Sequence, residues 1–157
     1  MPITHPPLVF DESGAPTSTL YGDAFASRAG AWSQARAVFI DGCELQRRWA
    51  GITEAPGGAA FTIVELGFGL GVNFLATLQA WRERAGVVAR LHYVSIEAHP
   101  LAADDLQRAL QALGAPTADA RALVAQWPDA LPGMYPLSFD AGAVTLSLCL
   151  GLSLIHI

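Results

Sequence analysis

Thr62-Ile63-Val64-Glu65-Leu66-Gly67-Phe68-Gly69-Leu70-Gly71-Val72-Asn73-Phe74-Leu75 is the stretch whose reading decides the fold. A β-branched apolar run reaches a carboxylate. Three glycines at every second position follow, and then an apolar pattern at helical spacing. The order predicts a buried strand, a tight turn and the start of a helix. Glycine lets backbone approach a ligand closely and reach φ > 0 without steric cost. The helix N-terminus behind the turn offers unpaired N–H groups and a positive dipole end. The stretch therefore suits an anionic group of a nucleotide-like cofactor. A dinucleotide fingerprint, G-x-G-x-x-G, would need glycine at Val72, and a phosphate loop needs G-K-[ST] in a chain that has no lysine.

What stands instead is E-x-G-x-G-x-G, which resembles the first motif of class I methyltransferases that use S-adenosylmethionine. A glycine-rich turn selected only for tight packing is the competing reading. Strand, carboxylate, glycine spacing and helix together favour the cofactor site.

At 157 residues the chain has a one-domain length. Apolar residues make up 52% and charged residues 15%, so a core can form and global disorder is excluded. The net charge of −5 does not announce nucleic-acid binding by itself. Cys43 and Cys149 are far apart and belong to no motif, so neither a disulfide framework nor a metal site is expected. No signal peptide is recognisable at the N-terminus, and a cytoplasmic chain is the default. The apolar stretch from Ala141 to Ile157 is too short to span a bilayer as a helix. Its Val144–Leu148 alternation fits a strand, so no membrane partner is expected.

Residues 1–60 read as an irregular or hairpin-forming extension packed on the domain, in which Leu20, Tyr21 and Phe25 need burial. Asp11-Glu12-Ser13-Gly14 is a turn. A helix is predicted over 31–40, with Trp32, Ala35 and Phe39 on one face and Asp41-Gly42 as its stop. A short helix over 44–50 pairs Leu45 with Trp49, and Ala55-Pro56-Gly57-Gly58 is a loop. The first core strand is expected at about 61–66 and its following helix at 72–84, ended by Gly86. The next strand is 90–97. Strand, helix and strand then form a right-handed crossover, the nucleus of a doubly wound fold. Pro100 is expected in the first turn of a helix running to Leu113. Another helix covers 118–126. Residues 135–139 and 143–150 form a late β-hairpin around Asp140-Ala141-Gly142.

Glu97 is the second chemical landmark. It ends a strand on the same sheet edge as the glycine turn, where open α/β sheets bind ligands. A carboxylate there can accept hydrogen bonds from both hydroxyls of a ribose, each worth roughly 1.5–3 kcal/mol. Glu65 is expected to orient the turn by accepting backbone N–H groups, or to reach the cofactor's ammonium directly or through water. Asn73 is expected to cap the helix or to touch the cofactor's methionine end. His92 reads as a packing residue, His99 as structural, and Arg47 and Arg48 as a solvated helix face.

Several stretches resemble one family. They are 10–18 (Phe-Asp-Glu-Ser-Gly-Ala-Pro-Thr-Ser), 23–27 (Asp-Ala-Phe-Ala-Ser), 38–42 with Leu45 and Arg48-Trp49, 65–75, 93–101 (Tyr-Val-Ser-Ile-Glu-Ala-His-Pro-Leu), and Gln126-Trp127-Pro128 with Leu131-Pro132-Gly133. Together they are similar to the methyltransferase domain of bacterial MnmC-type tRNA 5-methylaminomethyl-2-thiouridine biosynthesis enzymes, over about residues 8–151. The resemblance implies a Rossmann-like class I methyltransferase, α/β in class. It implies S-adenosyl-L-methionine as cofactor and methylation of the aminomethyl group on wobble uridine 34 of tRNA. The partner is then the tRNA anticodon loop, with a flipped base in an aromatic-lined pocket. FAD enters only if the full gene product carries a C-terminal oxidase domain. Carried over by position, Gly67, Gly69 and Gly71 cradle the methionine end and Glu97 holds the ribose, with Glu65 and Asn73 beside them.

The departures concern the C-terminus. Where the family places an aspartate facing the adenine, this chain has Leu152. An Asp-Gly-Phe-Ala-Pro active-site stretch follows later in the family, so the catalytic residues are expected beyond Ile157. The methyltransferase domain, 61–151, is read as incomplete, with an unpaired apolar edge beside Thr62–Leu66. Residues 152–157 are read as a foreign tail. The alternatives are a non-catalytic fragment, a class I methyltransferase acting on another substrate, or a nicotinamide-dependent enzyme, which the glycine spacing disfavours. Sequencing the locus checks the tail: an intact downstream Asp-Gly-Phe-Ala-Pro frame is expected, and a genuine stop codon after Ile157 overturns it.

Overall fold

The computed structural model describes residues 3–20, 23–25, 30–50, 52, 59–83, 89–129 and 131–151. Strand β1 (Leu8–Phe10) pairs antiparallel with β2 (Pro16–Ser18), which pairs with β3 (Asp23–Ala24). The Asp11 carboxylate closes the first turn by accepting the N–H groups of Ser13 and Ala15, the role expected of aspartate in a turn. Phe25 packs partly buried against the core, but Leu20 is 55% exposed, against the burial expected of it. It sits in the turn that follows β2. Tyr21, the loop 55–58, the helix end at Arg84 and Gly86, and the tail 152–157 lie outside the described residues.

Helix α1 (Ala31–Gln34) continues as a π-helical segment, Ala35–Asp41, where a plain α-helix was expected. The Gly42 N–H reaches back five residues to the Ala37 carbonyl, which widens the turn. A side chain at Gly42 would meet the Val38 carbonyl oxygen at 2.3 Å, so glycine is required to close this segment. Helix α2 (Leu45–Ala50) follows, with Leu45 and Trp49 buried as their spacing predicts.

The main sheet begins with β4 (Ala59–Leu66), the glycine turn and α3 (Val72–Arg82). Then come β5 (Ala89–Glu97), α4 (Ala103–Ala112), α5 (Thr117–Ala125), β6 (Gly133–Phe139) and β7 (Val144–Leu150). Strand order is β4-β5-β7-β6, with β4, β5 and β7 parallel and β6 antiparallel, the last two forming the expected hairpin. Pro100 lies ahead of α4, whose N-cap is Ala102. Its carbonyl accepts a hydrogen bond from His5 Nδ1 at 2.7 Å, and the bond from Leu106 N–H to the Ala102 carbonyl opens the α4 ladder.

The described helices share one buried cluster with Ile63, Leu91, Tyr93, Leu137, Leu146 and Leu148, which alternate onto one sheet face. Both crossovers, β4 to β5 and β5 to β7, step in the same direction across the sheet. Right-handed connections therefore deliver both sets of helices to the same side. The other face carries Val64, Leu66 and Met134, each more than 60% exposed. Strand β4 is a sheet edge among the described residues. The aromatic interior is dense: Phe74 meets Tyr93 at 5.2 Å and Phe139 at 5.0 Å between ring centroids, and Trp49 meets Trp81 edge-on at 5.4 Å.

Arg82 locks the far end of α3. Its guanidinium donates to both oxygens of Asp119 on α5, at 2.8 Å, and of Asp140 after β6, at 2.7–3.1 Å. Asp140 and Ala141 have φ of 51° and 54°, a backbone form that needs such a hold. Replacing Arg82 with Met leaves two carboxylates facing each other. After discounting for the partly exposed site, the expected loss is about 1–2 kcal/mol, read by urea unfolding.

Candidate functional site

The turn after β4 alternates. Phe68 and Leu70 point inward and are 3% exposed, with Phe68 stacked near Trp127 (5.6 Å) and Phe74 (6.3 Å). Gly67, Gly69 and Gly71 take φ of 86°, 54° and 72°, the left-handed region that favours glycine. Beside Gly67 and Gly69 the position of a Cβ meets nothing within 4 Å, so bare backbone faces open space. At Gly71 a Cβ would strike the Phe68 ring at 2.6 Å. The turn is anchored by its large residues and opened by its small ones.

Glu97 closes the site from β5. Its Oε2 accepts the Gly69 N–H at 2.9 Å and its Oε1 accepts the His99 N–H at 2.8 Å. Its backbone carbonyl accepts the Gly151 N–H at 2.9 Å, and the Gly67 N–H bonds the Ile96 carbonyl at 2.8 Å. Three chain segments, the glycine turn, residues 96–99 and the exit from β7, thus converge at the end of β5. Each carboxylate oxygen retains a lone pair beyond its backbone partner.

Glu65 is 7% exposed and is used differently from the sequence expectation. Its recorded partners are side chains, not turn backbone: Asn73 Nδ2 donates to Oε1 and Ser95 Oγ to Oε2, both at 2.9 Å. Burial pushes the Glu65 carboxyl above its ordinary value, against these hydrogen bonds, and the charge of Glu97 adds to the rise. The Tyr93 hydroxyl is also buried and lies beside the Glu65 carboxylate. Its phenol is pushed well up by burial and then by the Glu65 charge. Asn73 does not cap α3; that place is taken by Gly71, with no side-chain cap.

A cleft of about 310 Å³ separates the turn from α1 and the π-helical segment. Gln34, Val38 and Phe39 form one wall, and Gly67, Gly69 and Asn73 the other. A larger cavity, about 410 Å³, lies between α4 and α5 and touches none of these residues. The remaining candidates lie elsewhere. His92 Nε2 and Ser147 Oγ are hydrogen-bond partners at 2.9 Å within the sheet. Arg47 pairs with Glu44, and Arg48 lies over the Phe61 ring at 5.6 Å. Among the described residues no group of His, Cys, Asp and Glu could hold a metal ion. Sequence reasoning missed Gln34, Tyr93 and Ser95. Ser95 had one signal, two residues before Glu97 on the strand, but only pairing opposite Glu65 gives it a role.

No family model matches the chain. Curated relatives do. Over 149 residues the chain is 48% identical to a Burkholderia thailandensis protein named tRNA 5-methylaminomethyl-2-thiouridine biosynthesis bifunctional protein MnmC. That match covers 92% of this chain. The protein of the same name from Cupriavidus metallidurans is 46% identical over 145 residues, 91% of this chain. The chain is similar to one part of these MnmC proteins. It spans 22% and 21% of the length of these two MnmC relatives. A crystal structure of MNMC2 from Aquifex aeolicus superposes with a TM-score of 0.56 and 17% identity, covering 95% of this chain and 43% of that one. That likeness carries the fold alone, a Rossmann-like α/β fold with a parallel-dominated sheet.

The buried Glu65 has a consequence for stability. A carboxyl whose folded-state pKa is raised contributes stability that is full below its unfolded value and is lost as pH rises through the folded one. Glu65→Gln removes that titration. The variant is expected to gain on the parent chain as pH rises above the ordinary carboxylate range, measured as the difference in denaturant midpoints.

Proposed function

We propose that the glycine turn binds S-adenosylmethionine and that this chain is the methyltransferase part of an MnmC protein. The carrying observation is the pairing of bare backbone at Gly67 and Gly69 with a Glu97 carboxylate bonded to that same turn. The residues fit the group. Open space beside two glycines admits a ligand against backbone, and Glu97 keeps acceptor capacity for ribose hydroxyls. Gly71 sets the entry into α3, and Glu65 and Asn73 flank the cofactor's amino-acid end. When bound, S-adenosylmethionine supplies a methyl group on a cationic sulfur for transfer to a neutral amine. The chain's own residues hold and orient, and positioning of this kind supplies much of the acceleration in such transfers.

The substrate is read as the aminomethyl group of wobble uridine 34 in the anticodon loop of tRNA, in a cytoplasmic reaction. This rests on the names of the relatives. Catalytic residues are assigned to sequence beyond Ile157, and FAD to a separate oxidase domain of a bifunctional protein. Residues 61–151 are the methyltransferase part, 1–60 an extension held to it, and 152–157 a foreign tail. The extension is supported by Trp32 Nε1, which donates to the Leu113 carbonyl at 2.7 Å. No described helix is long and apolar enough to cross a membrane. A second reading, cofactor binding without turnover, is favoured by β4, the strand carrying the turn, which among the described residues has a partner on one side only.

Calorimetric titration with S-adenosylhomocysteine tests the site. Saturable binding is expected, weakened roughly tenfold or more in Glu97→Ala. Absence of binding to a folded chain overturns the cofactor reading. Binding without methylation of tRNA carrying the aminomethyl base selects the second reading.

A further inference from the structure

Residues 3–7 run ahead of β1 and reach the end of the sheet at which Glu97 stands. They form no helix or strand, and among the described residues their backbone makes no hydrogen bond to other backbone. Their recorded polar anchor is His5, whose Nδ1 donates to the Pro100 carbonyl at 2.7 Å across 95 positions of sequence. Ile3 packs on Gly151: a Cβ there would stand 3.1 Å from Ile3 Cδ1, and the φ of 70° at Gly151 also favours glycine. Pro6 is buried, and the Pro6-Pro7 pair restricts the backbone, which lowers the entropy lost on ordering it. Both points of contact adjoin Glu97. Pro100 closes the short segment that begins at Glu97, whose Oε1 accepts the His99 N–H. Gly151 gives its own N–H to the Glu97 carbonyl. A peptide with little else to hold it is thus anchored at the rim of the glycine-turn site.

We propose that residues 3–6 are a strap that positions Glu97 for the ligand, with His5 as the positioning residue. A carbonyl only accepts, so His5 presents Nδ1–H to Pro100. Holding Pro100 fixes residues 98–99, where the His99 N–H meets Glu97 Oε1. With that oxygen held and the other on the Gly69 N–H, the carboxylate keeps one orientation before a ligand arrives. Preorganisation of this kind raises affinity by removing an ordering cost from the binding step. Ile3 supplies the apolar half of the contact, against Gly151. The strap rests on the cofactor reading above and adds to it: affinity at the glycine turn depends on residues far ahead of it in the sequence.

Calorimetric titration of the full chain with S-adenosylhomocysteine, well below each variant's unfolding midpoint, reads the strap. His5→Ala is expected to weaken binding roughly three- to tenfold. His5→Gln retains a side-chain N–H for the Pro100 carbonyl and is expected to bind within about twofold of the parent. Ile3→Ala keeps that hydrogen bond and is expected to weaken binding in the same direction; it carries the test where His5→Ala does not fold. Arg82→Met lowers stability at the far end of α3 and touches none of these residues, so it is expected to bind as the parent does. This control separates a strap from a general loss of stability. Unchanged affinity in His5→Ala or, where that variant does not fold, in Ile3→Ala overturns the strap while the cofactor reading stands. Failure of His5→Gln to restore affinity, or an equal loss in Arg82→Met, does the same. Absence of binding to the folded parent chain overturns both.

Discussion

The Glu97 carboxylate holds the site together. Gly69 and His99 are thirty residues apart, and each gives its backbone N–H to one oxygen of the same side chain. Backbone at a glycine turn has many conformations available, and ordering it costs about 1–2 kcal/mol per residue. Charge-assisted bonds offset part of that cost. The Gly151 N–H joins through the backbone of the same residue. The end of β5 therefore fixes the shape of the turn, the start of the α4 connection and the exit from β7 together.

Two carboxylates stand near each other at this end of the sheet and do different work. Glu97 is part-exposed and bonds backbone; Glu65 is buried and bonds side chains. Keeping Glu65 charged costs stability, since burial disfavours the ionised form.

The sheet explains where the site lies. Both crossovers step the same way from β4, which stands at the sheet edge among the described residues. Ligands in open α/β sheets sit outside the carboxyl ends of the strands. The glycine turn leaves β4 at that place. Among the described residues the same topology leaves Val64 and Leu66 exposed on the uncovered face and β4 unpaired on one side.

Local chemistry was enough to read much of this from the chain. The Thr62–Leu66 run, the three glycines and the Phe74, Leu75, Leu78 and Trp81 face specify strand, turn and helix through contacts within a few residues. The Asp140-Ala141-Gly142 hairpin and the burial of Leu45 and Trp49 follow from period and turn chemistry in the same way. The sequence also marked Glu97 by its place at a strand end. What it did not carry is partner choice across the fold. Glu65 meets Ser95 only because β4 and β5 pair in one register, and a shift of one residue would turn Ser95 to the other face. Asn73 turns to Glu65 rather than capping its helix because Gly71 already holds the cap. Gln34 reaches the cleft only through the packing of α1 and the π-helical segment over the turn. Tertiary structure decided these because hydrogen-bond partners of side chains are set by distances between elements. Sequence determined the elements because strands, turns and helices answer to the residues beside them.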